Sequence, residues 1–156
     1  MSAHGAPRID VTGAKGLTVT VVSGMWHTEI AEALVVGAVR VLEAAEVTFT
    51  IVRVPGSFEL PVVAQAALEG GADCVVALGV IIRGGTPHFE YVSAAATQGL
   101  TDVALRTGKS VGFGVLTLDN EAQGLDRAGL PGSSEDKGAE AAEAALRTAL
   151  LIAALY

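Results

Sequence analysis

The sequence predicts a three-layer α/β domain, a four-stranded parallel sheet with helices on both faces, and three observations carry that reading. Four short apolar or β-branched segments are each followed by a segment whose apolar residues recur at three- and four-residue steps. The strand segments are apolar nearly throughout instead of alternating, as strands covered on both faces are. The length of 156 residues, with 51% apolar and 17% charged residues, is that of one globular domain.

Each element follows from local pattern. Residues 1–16 mix Gly, Ala, Ser and single charges without periodicity, an arm expected to be loose or added to a neighbouring subunit's sheet edge. Residues 17–156 form the single domain. Leu17–Ser23 reads as a strand, and Thr28–Ala45 as a helix that spaces Ile30, Leu34, Ala38, Val41, Leu42 and Ala45 along one face. Thr28 is the expected N-cap, with Glu29 and Glu32 favourable in the first turn. Thr48–Val54 is a strand; Glu59–Glu69 is a short helix that tolerates Pro61 because first-turn N–H groups lack helical partners, and Gly70-Gly71 closes it. Asp73–Ile82 is a third strand, His88–Thr107 a helix ended by Gly108, and Ser110–Thr117 a fourth strand. Asp119–Ala128 reads as a helix stopped by Gly129 and Pro131. Ser133–Leu155 reads as a long helix opened by Ser133-Ser134-Glu135-Asp136 and turning Leu146, Leu150 and Ala153 inward.

Composition excludes several classes of function. A net charge of −7 argues against nucleic acid as the main partner. Mean hydropathy is high at +0.50, yet no apolar run reaches the roughly eighteen residues of a membrane helix. The surplus apolar surface points to self-association. Met1-Ser2-Ala3-His4-Gly5 lacks the apolar run of a secretory leader, and the single Cys74 lies in an apolar string as a small hydrophobe, so a cytoplasmic location is expected.

In parallel sheets ligands gather at the carboxyl ends of the strands. Trp26 follows the first strand and is either a stacking face for a flat heterocycle or a cover over the core. Ser57 and Glu59 open the second helix; Glu59 is either a hydroxyl acceptor for a polyol or a helix-start residue favoured by the dipole. Arg83-Gly84-Gly85-Thr86 precedes another helix, a natural phosphate position, although neither a Walker loop nor G-x-G-x-x-G is present. His88 follows two residues later, where the dipole disfavours an imidazolium; it is either a proton shuttle or a solvent-facing capping residue. His4, His27, Cys74 and His88 share no metal-ligand spacing, so no metal is expected. Cys74 is a poor nucleophile, and no Gly-x-Ser-x-Gly elbow exists. An acid–base site with a phosphate cradle and an aromatic wall remains.

At this point whole motifs match. Val54-Pro-Gly-Ser-Phe-Glu-Leu-Pro61, Ala77-Leu-Gly-Val-Ile-Ile-Arg-Gly-Gly-Thr-Pro-His-Phe-Glu-Tyr-Val92, Phe113-Gly-Val-Leu-Thr117, and Asp126-Arg-Ala-Gly129 followed by Lys137-Gly138 occur in order. With these the chain resembles the 6,7-dimethyl-8-ribityllumazine synthases of riboflavin biosynthesis from Leu17 to the last helix. The resemblance implies a flavodoxin-like fold and a cofactor-free condensation of 5-amino-6-(D-ribitylamino)uracil with 3,4-dihydroxy-2-butanone 4-phosphate. It implies that Trp26 stacks on the pyrimidine and that Ser57, Phe58 and Glu59 line the ribityl and ring site. Val80, Ile81 and Ile82 would meet the uracil, Gly85 and Thr86 the phosphate, and His88 would move protons. Phe113 and Arg127 would come from a neighbouring subunit, with Lys137 near the same interface. The implied assembly is a pentamer, alone or within a larger shell, and an association with riboflavin synthase is a further implied partner. The stretch Gly129–Lys137 is longer than in members that close into 60-subunit shells, which favours a free pentamer.

Three other readings compete. An archaeal-type riboflavin synthase shares the scaffold, but Arg-Gly-Gly-Thr-Pro-His together with Arg127 suits the butanone phosphate better. A non-catalytic lumazine- or flavin-binding or shell-forming protein would not need His88, Thr86 and Arg127 together. A flavodoxin-type redox protein carries a Ser- and Thr-rich phosphate loop after its first strand, which Ser23-Gly24-Met25-Trp26 is not.

Overall fold

A computed structural model describes residues 4–156. Its strands are β1 (Thr18–Gly24), β2 (Thr48–Val54), β3 (Cys74–Ile82) and β4 (Ser110–Leu118). Its helices are α1 (Thr28–Ala44), α2 (Leu60–Glu69), α3 (His88–Thr107), α4 (Glu121–Leu125) and α5 (Lys137–Ala154), with one 3-10 turn at Ser57–Glu59. The strands form one parallel sheet in the order β2-β1-β3-β4. α1 and α5 cover one face and α2 and α3 the other, so the expected three layers are present.

Two aliphatic cores result. Ile30, Leu34, Ala38 and Leu42 of α1 meet Val19, Val21, Val76 and Leu146, while Leu60, Ala64, Leu68, Leu100 and Val103 pack on Val22, Val75 and Ala77. The helical spacing of these residues therefore does what the pattern predicts. Glycine sets how closely α5 approaches. A Cβ on Gly138 would overlap the backbone of Leu34, and one on Gly112 would overlap the Ala141 carbonyl. Cys74 is fully buried, and burial pushes its thiol up to about 12, which keeps it protonated and unreactive.

Helix ends depart from expectation. His27, not Thr28, occupies the N-cap of α1, with left-handed backbone at φ 58°, ψ 66° and no side-chain cap; Thr28 is the first helical residue. Glu59 ends the 3-10 turn, and α2 starts at Leu60 with Pro61 in its first turn. The helix expected over Asp119–Ala128 is only the five residues of α4, because Asn120 caps Gln123 and the chain then turns into a clasp. The last helix starts at Lys137, where Asp136 caps the Ala139 N–H at 3.1 Å; Ser133, Ser134 and Glu135 belong to the clasp instead. Leu146 is buried and Leu150 half-buried, but Ala153 is exposed.

In the clasp, Ala128 and Asp136 form an antiparallel bridge. Asp126 Oδ1 accepts from the Ser134 N–H at 3.0 Å and from its hydroxyl at 2.8 Å, and the Lys137 N–H donates to the Arg127 carbonyl at 2.9 Å. Ser133 accepts from the Leu130 N–H and donates to the Leu125 carbonyl. Of the arm, residues 1–3 lie outside the described residues; Val11 is half-buried and Ala14 buried against the α1–α5 core.

Gly138→Ala should destabilise the fold by about 1–3 kcal/mol, because a methyl group has no room against α1. A denaturant midpoint unchanged from the parent would show that α1 and α5 separate freely at this contact.

Candidate active site

β1, β2 and β3 end side by side, and the segments leaving them border one cleft of about 630 Å³. Trp26 and His27 come from the turn after β1, Gly56–Glu59 from the turn after β2, and Val80–Ile82, Gly84 and Thr86 from the end of β3 and its loop. His88, Phe89, Tyr91 and Val92 of α3 complete the wall. This is the crevice at which parallel sheets bind ligands, where the chain leaves the central strands in opposite directions.

Each side chain is held by local structure. Trp26 is 67% exposed and Phe58 64%, so both aromatic faces are open and Trp26 does not cover the core. A Cβ on Gly56 would stand 3.1 Å from Trp26 Cδ1, so the indole edge rests on the Gly56 backbone. Glu59 Oε2 accepts the Gly56 N–H at 3.0 Å, which fixes the carboxylate and closes the turn. Ser57 is buried beneath the cleft against Gly79, where a Cβ would lie 2.5 Å from its Oγ.

The Gly84–Pro87 loop is exposed, and nothing lies within 4 Å of a Cβ built on Gly84 or Gly85. Its open side leaves room for a ligand beside the backbone. The Thr86 hydroxyl accepts the His88 N–H at 3.4 Å, and the His88 imidazole, at the first turn of α3, meets no hydrogen-bond partner among the described residues. Arg83, expected beside a phosphate, is instead committed elsewhere. It pairs with Glu90, donates from Nε to Asp119 Oδ1 at 3.1 Å, and lies 4.3 Å above the Phe89 ring.

The family profile described as 6,7-dimethyl-8-ribityllumazine synthase matches residues 16–153. The chain belongs to that family. A 6,7-dimethyl-8-ribityllumazine synthase from Clavibacter sepedonicus is 72% identical over 157 residues, covering 99% of this chain and 98% of the relative. One from Leifsonia xyli subsp. xyli is 72% identical over 159 residues, covering 99% of each, and one from Kineococcus radiotolerans is 61% identical over 153 residues, covering 97% of this chain and 94% of the relative.

In this lumazine synthase family member, Trp26, Ser57, Phe58, Glu59, Val80, Ile81, Ile82, Thr86 and His88 meet at the cleft, and Gly85 lies in its loop between two lining residues. Phe113, Arg127 and Lys137 do not. Gly112 and Gly114 face α5, so Phe113 between them projects from the opposite sheet face at the β4 edge, 47% exposed. Arg127 and Lys137 sit on the clasp around Glu135, whose side chain is 8% exposed; its Oε2 lies 3.7 Å from Arg127 Nε and 3.6 Å from Lys137 Nζ. Arg127 Nη1 also donates to the Gln123 carbonyl at 2.9 Å, and Lys137 pairs with Glu140 at 2.7 Å. Sequence reasoning missed His27, Phe89, Tyr91 and Val92 as lining residues. The helical step from His88 to Val92 was the available signal for the last of these; nothing local marks His27.

The two hydrogen bonds from Ser134 hold the Asp126 carboxyl below its ordinary value of 3.8. A depressed folded value means the bond is fully present above the unfolded value and is lost as pH falls through the folded one. The Ser134 amide resonance should therefore titrate with a midpoint below 3.8. A midpoint at or above that value would show that the carboxylate is not held by the clasp.

Proposed function

We propose that the chain condenses 5-amino-6-(D-ribitylamino)uracil with 3,4-dihydroxy-2-butanone 4-phosphate to 6,7-dimethyl-8-ribityllumazine, releasing phosphate and water, in riboflavin biosynthesis. The observation that carries this reading is the convergence of an open aromatic wall, a phosphate-sized loop and an unpartnered imidazole on one cleft. The high identity to relatives of that name supports it.

In this reading the uracil stacks between Trp26 and Phe58, with its polar edge along Val80, Ile81 and Ile82. The ribityl hydroxyls meet Ser57 and the Glu59 oxygen that does not hold the Gly56 N–H. The phosphate sits on the N–H groups of Gly85 and Thr86 at the α3 N-terminus, where dipole and donors favour an anion. The 5-amino group attacks the butanone carbonyl, and loss of water leaves an imine. Loss of the proton from the hydroxyl-bearing carbon with cleavage of the neighbouring C–O bond then expels phosphate and leaves an enol. The ribityl-bearing nitrogen closes on the ketone tautomer of that enol with loss of a second water. Each step moves a proton, which His88 can carry for a gain of about 10² to 10⁴; holding both reactants together contributes at least as much. No redox cofactor or metal enters these steps, and cytoplasmic action is part of the same reading.

No Lys or Arg lines the cleft, although a phosphate dianion must be bound there. That supports an assembly in which Phe113, Arg127 and Lys137 of a neighbouring copy complete the site, arranged as a pentamer, alone or within a larger shell. In this reading the described residues ahead of Val11 serve as the arm that can reach the neighbour, since Val11 and Ala14 pack on this chain's own core, while residues 17–156 form the domain. An association with riboflavin synthase, which would take up the product, is part of the same reading.

The direct test follows lumazine absorbance and phosphate release together; neither rising above background overturns the reading. His88→Ala should lower kcat by about 10² to 10⁴ without abolishing turnover, and Arg127→Ala should mainly raise KM for the butanone phosphate. Co-assembling these two variants should restore parental kinetics at about a quarter of the sites, because a head-to-tail interface pairs an intact His88 with a neighbour's intact Arg127 in that share of random contacts. Hybrids no better than the average of the two variants would show that the site is built within one chain.

A further inference from the structure

Arg83 is the cation nearest the phosphate loop in sequence, yet it is absent from the lining of the cleft. Its guanidinium is used in three directions. Nη1 pairs with Glu90 in the first turn of α3, Nε donates to Asp119 just past β4, and the plane lies over Phe89, the residue after His88. Its backbone N–H donates to the Leu118 carbonyl at 2.8 Å and so prolongs the β3–β4 pairing by one step. Between this anchor and α3 lie only Gly84, Gly85, Thr86 and Pro87. Within that span, the hydrogen bond from the His88 N–H to the Thr86 hydroxyl is long, and no side chain packs over either glycine.

We propose that Arg83 is a positioning residue, not a phosphate ligand: by tying the end of β3 to α3 through Glu90 and to the end of β4 through Asp119, it sets the separation of the loop's two ends. The loop's N–H groups and His88, two residues before Glu90, then take one fixed arrangement. The proposal rests on the reading that phosphate binds at Gly85 and Thr86. Charge arithmetic agrees with it. Two carboxylates already neutralise the guanidinium, so an anion gains little from Arg83 as a charge and much from the loop it holds. Arg83 also holds the Glu90 carboxyl below its ordinary value, as a lasting pair requires. A lysine cannot reproduce the arrangement, because a planar fork that bonds two carboxylates and stacks on a ring has no ammonium equivalent.

Glu90→Gln separates the two roles. If Arg83 were a ligand in waiting, removing Glu90's charge would free it and tighten binding of inorganic phosphate. If Arg83 positions the loop, the same change loosens α3 from β3 and weakens phosphate binding. We expect Arg83→Lys to raise both KM for the butanone phosphate and the inhibition constant of inorganic phosphate about tenfold, the loss of one good charge-assisted bond. Glu90→Gln and Asp119→Asn should move both constants the same way, while KM for the pyrimidine amine changes less than about twofold, since Trp26 and Phe58 stand on other loops. A merely structural role would instead raise both KM values together. In Arg83→Lys carrying Glu90→Gln, the combined effect should fall short of the sum, because both changes break the same contact. Parental phosphate inhibition in Arg83→Lys, tighter phosphate in Glu90→Gln, or equal rises in both KM values would overturn the proposal. The Glu90 and Asp119 variants keep it testable should the Arg83 variant fail to fold. A parent protein that neither turns over nor responds to phosphate overturns the functional reading and this proposal with it; a responsive parent with an unresponsive Arg83→Lys overturns this proposal alone.

Discussion

The arrangement of the molecule depends on one constraint, the parallel pairing of β1 with both β2 and β3. A parallel neighbour can be reached only by a crossover, so every strand must be followed by a covering element before the next begins. Because the path from β1 runs outward to β2 and later returns past β1 to β3, the helices after these strands lie on opposite faces, and a crevice opens at the strands' carboxyl ends. Trp26, the Ser57–Glu59 turn and the Gly84–Thr86 loop are distant in sequence and adjacent in space for that reason alone. The site needs no long loop, because the sheet supplies the convergence.

The second constraint is electrostatic. The chain carries a net charge of −7, and its cleft contains Glu59 but no Lys or Arg. Within one chain an anion there meets only backbone N–H groups and a helix N-terminus, both of which act over short range and only in fixed geometry. Arg83 is close but spent on Glu90 and Asp119, and Arg127 and Lys137 surround the buried Glu135 on another part of the surface. A buried carboxylate is costly unless cations attend it, so Glu135 keeps those two side chains together. The cations are thus organised as clamps, one beside the cleft and one remote from it.

Most of this was legible in the sequence where a single pattern governed the outcome. β1 and β3 are apolar because both faces are covered, whereas the edge strand β2, with Thr48, Thr50 and Arg53, stays mostly exposed and departs from that expectation; α1, α2 and α3 show their buried stripes directly. Legibility failed where tertiary bonds replaced local ones. Asp119–Ala128 has helical composition, yet only Glu121–Leu125 stays helical, because Asp126 is drawn to Ser134 across eight residues and the chain bends to meet it. Ser133-Ser134-Glu135-Asp136 looks like a cap, and only Asp136 acts as one, since both serines are engaged in the clasp. His27 takes a left-handed backbone that no local residue announces. The motif containing Arg83 was visible as a sequence, but that its charge is already matched depends on Asp119, which is 36 positions away.

The use of aromatic residues ties these levels together. None of the aromatic side chains is fully buried; Phe49 and Phe89 are half-buried, and Trp26, Phe58, Tyr91, Phe113 and the C-terminal Tyr156 are exposed. A core built from Val, Leu, Ile and Ala allows α5 to approach α1 and β4 closely, as Gly112 and Gly138 require, and rings would hold these layers apart. Large apolar faces left in water are unfavourable by roughly 25 cal/mol for each Å², so their placement on the cleft and along the α3 and β4 surfaces demands something to cover them. In the proposed reading a flat heterocycle covers Trp26 and Phe58, and a neighbouring copy covers Phe113. The small-residue core and the exposed rings are therefore two sides of one allocation, with aliphatic side chains forming the fold and aromatic ones kept for contacts the single chain does not make.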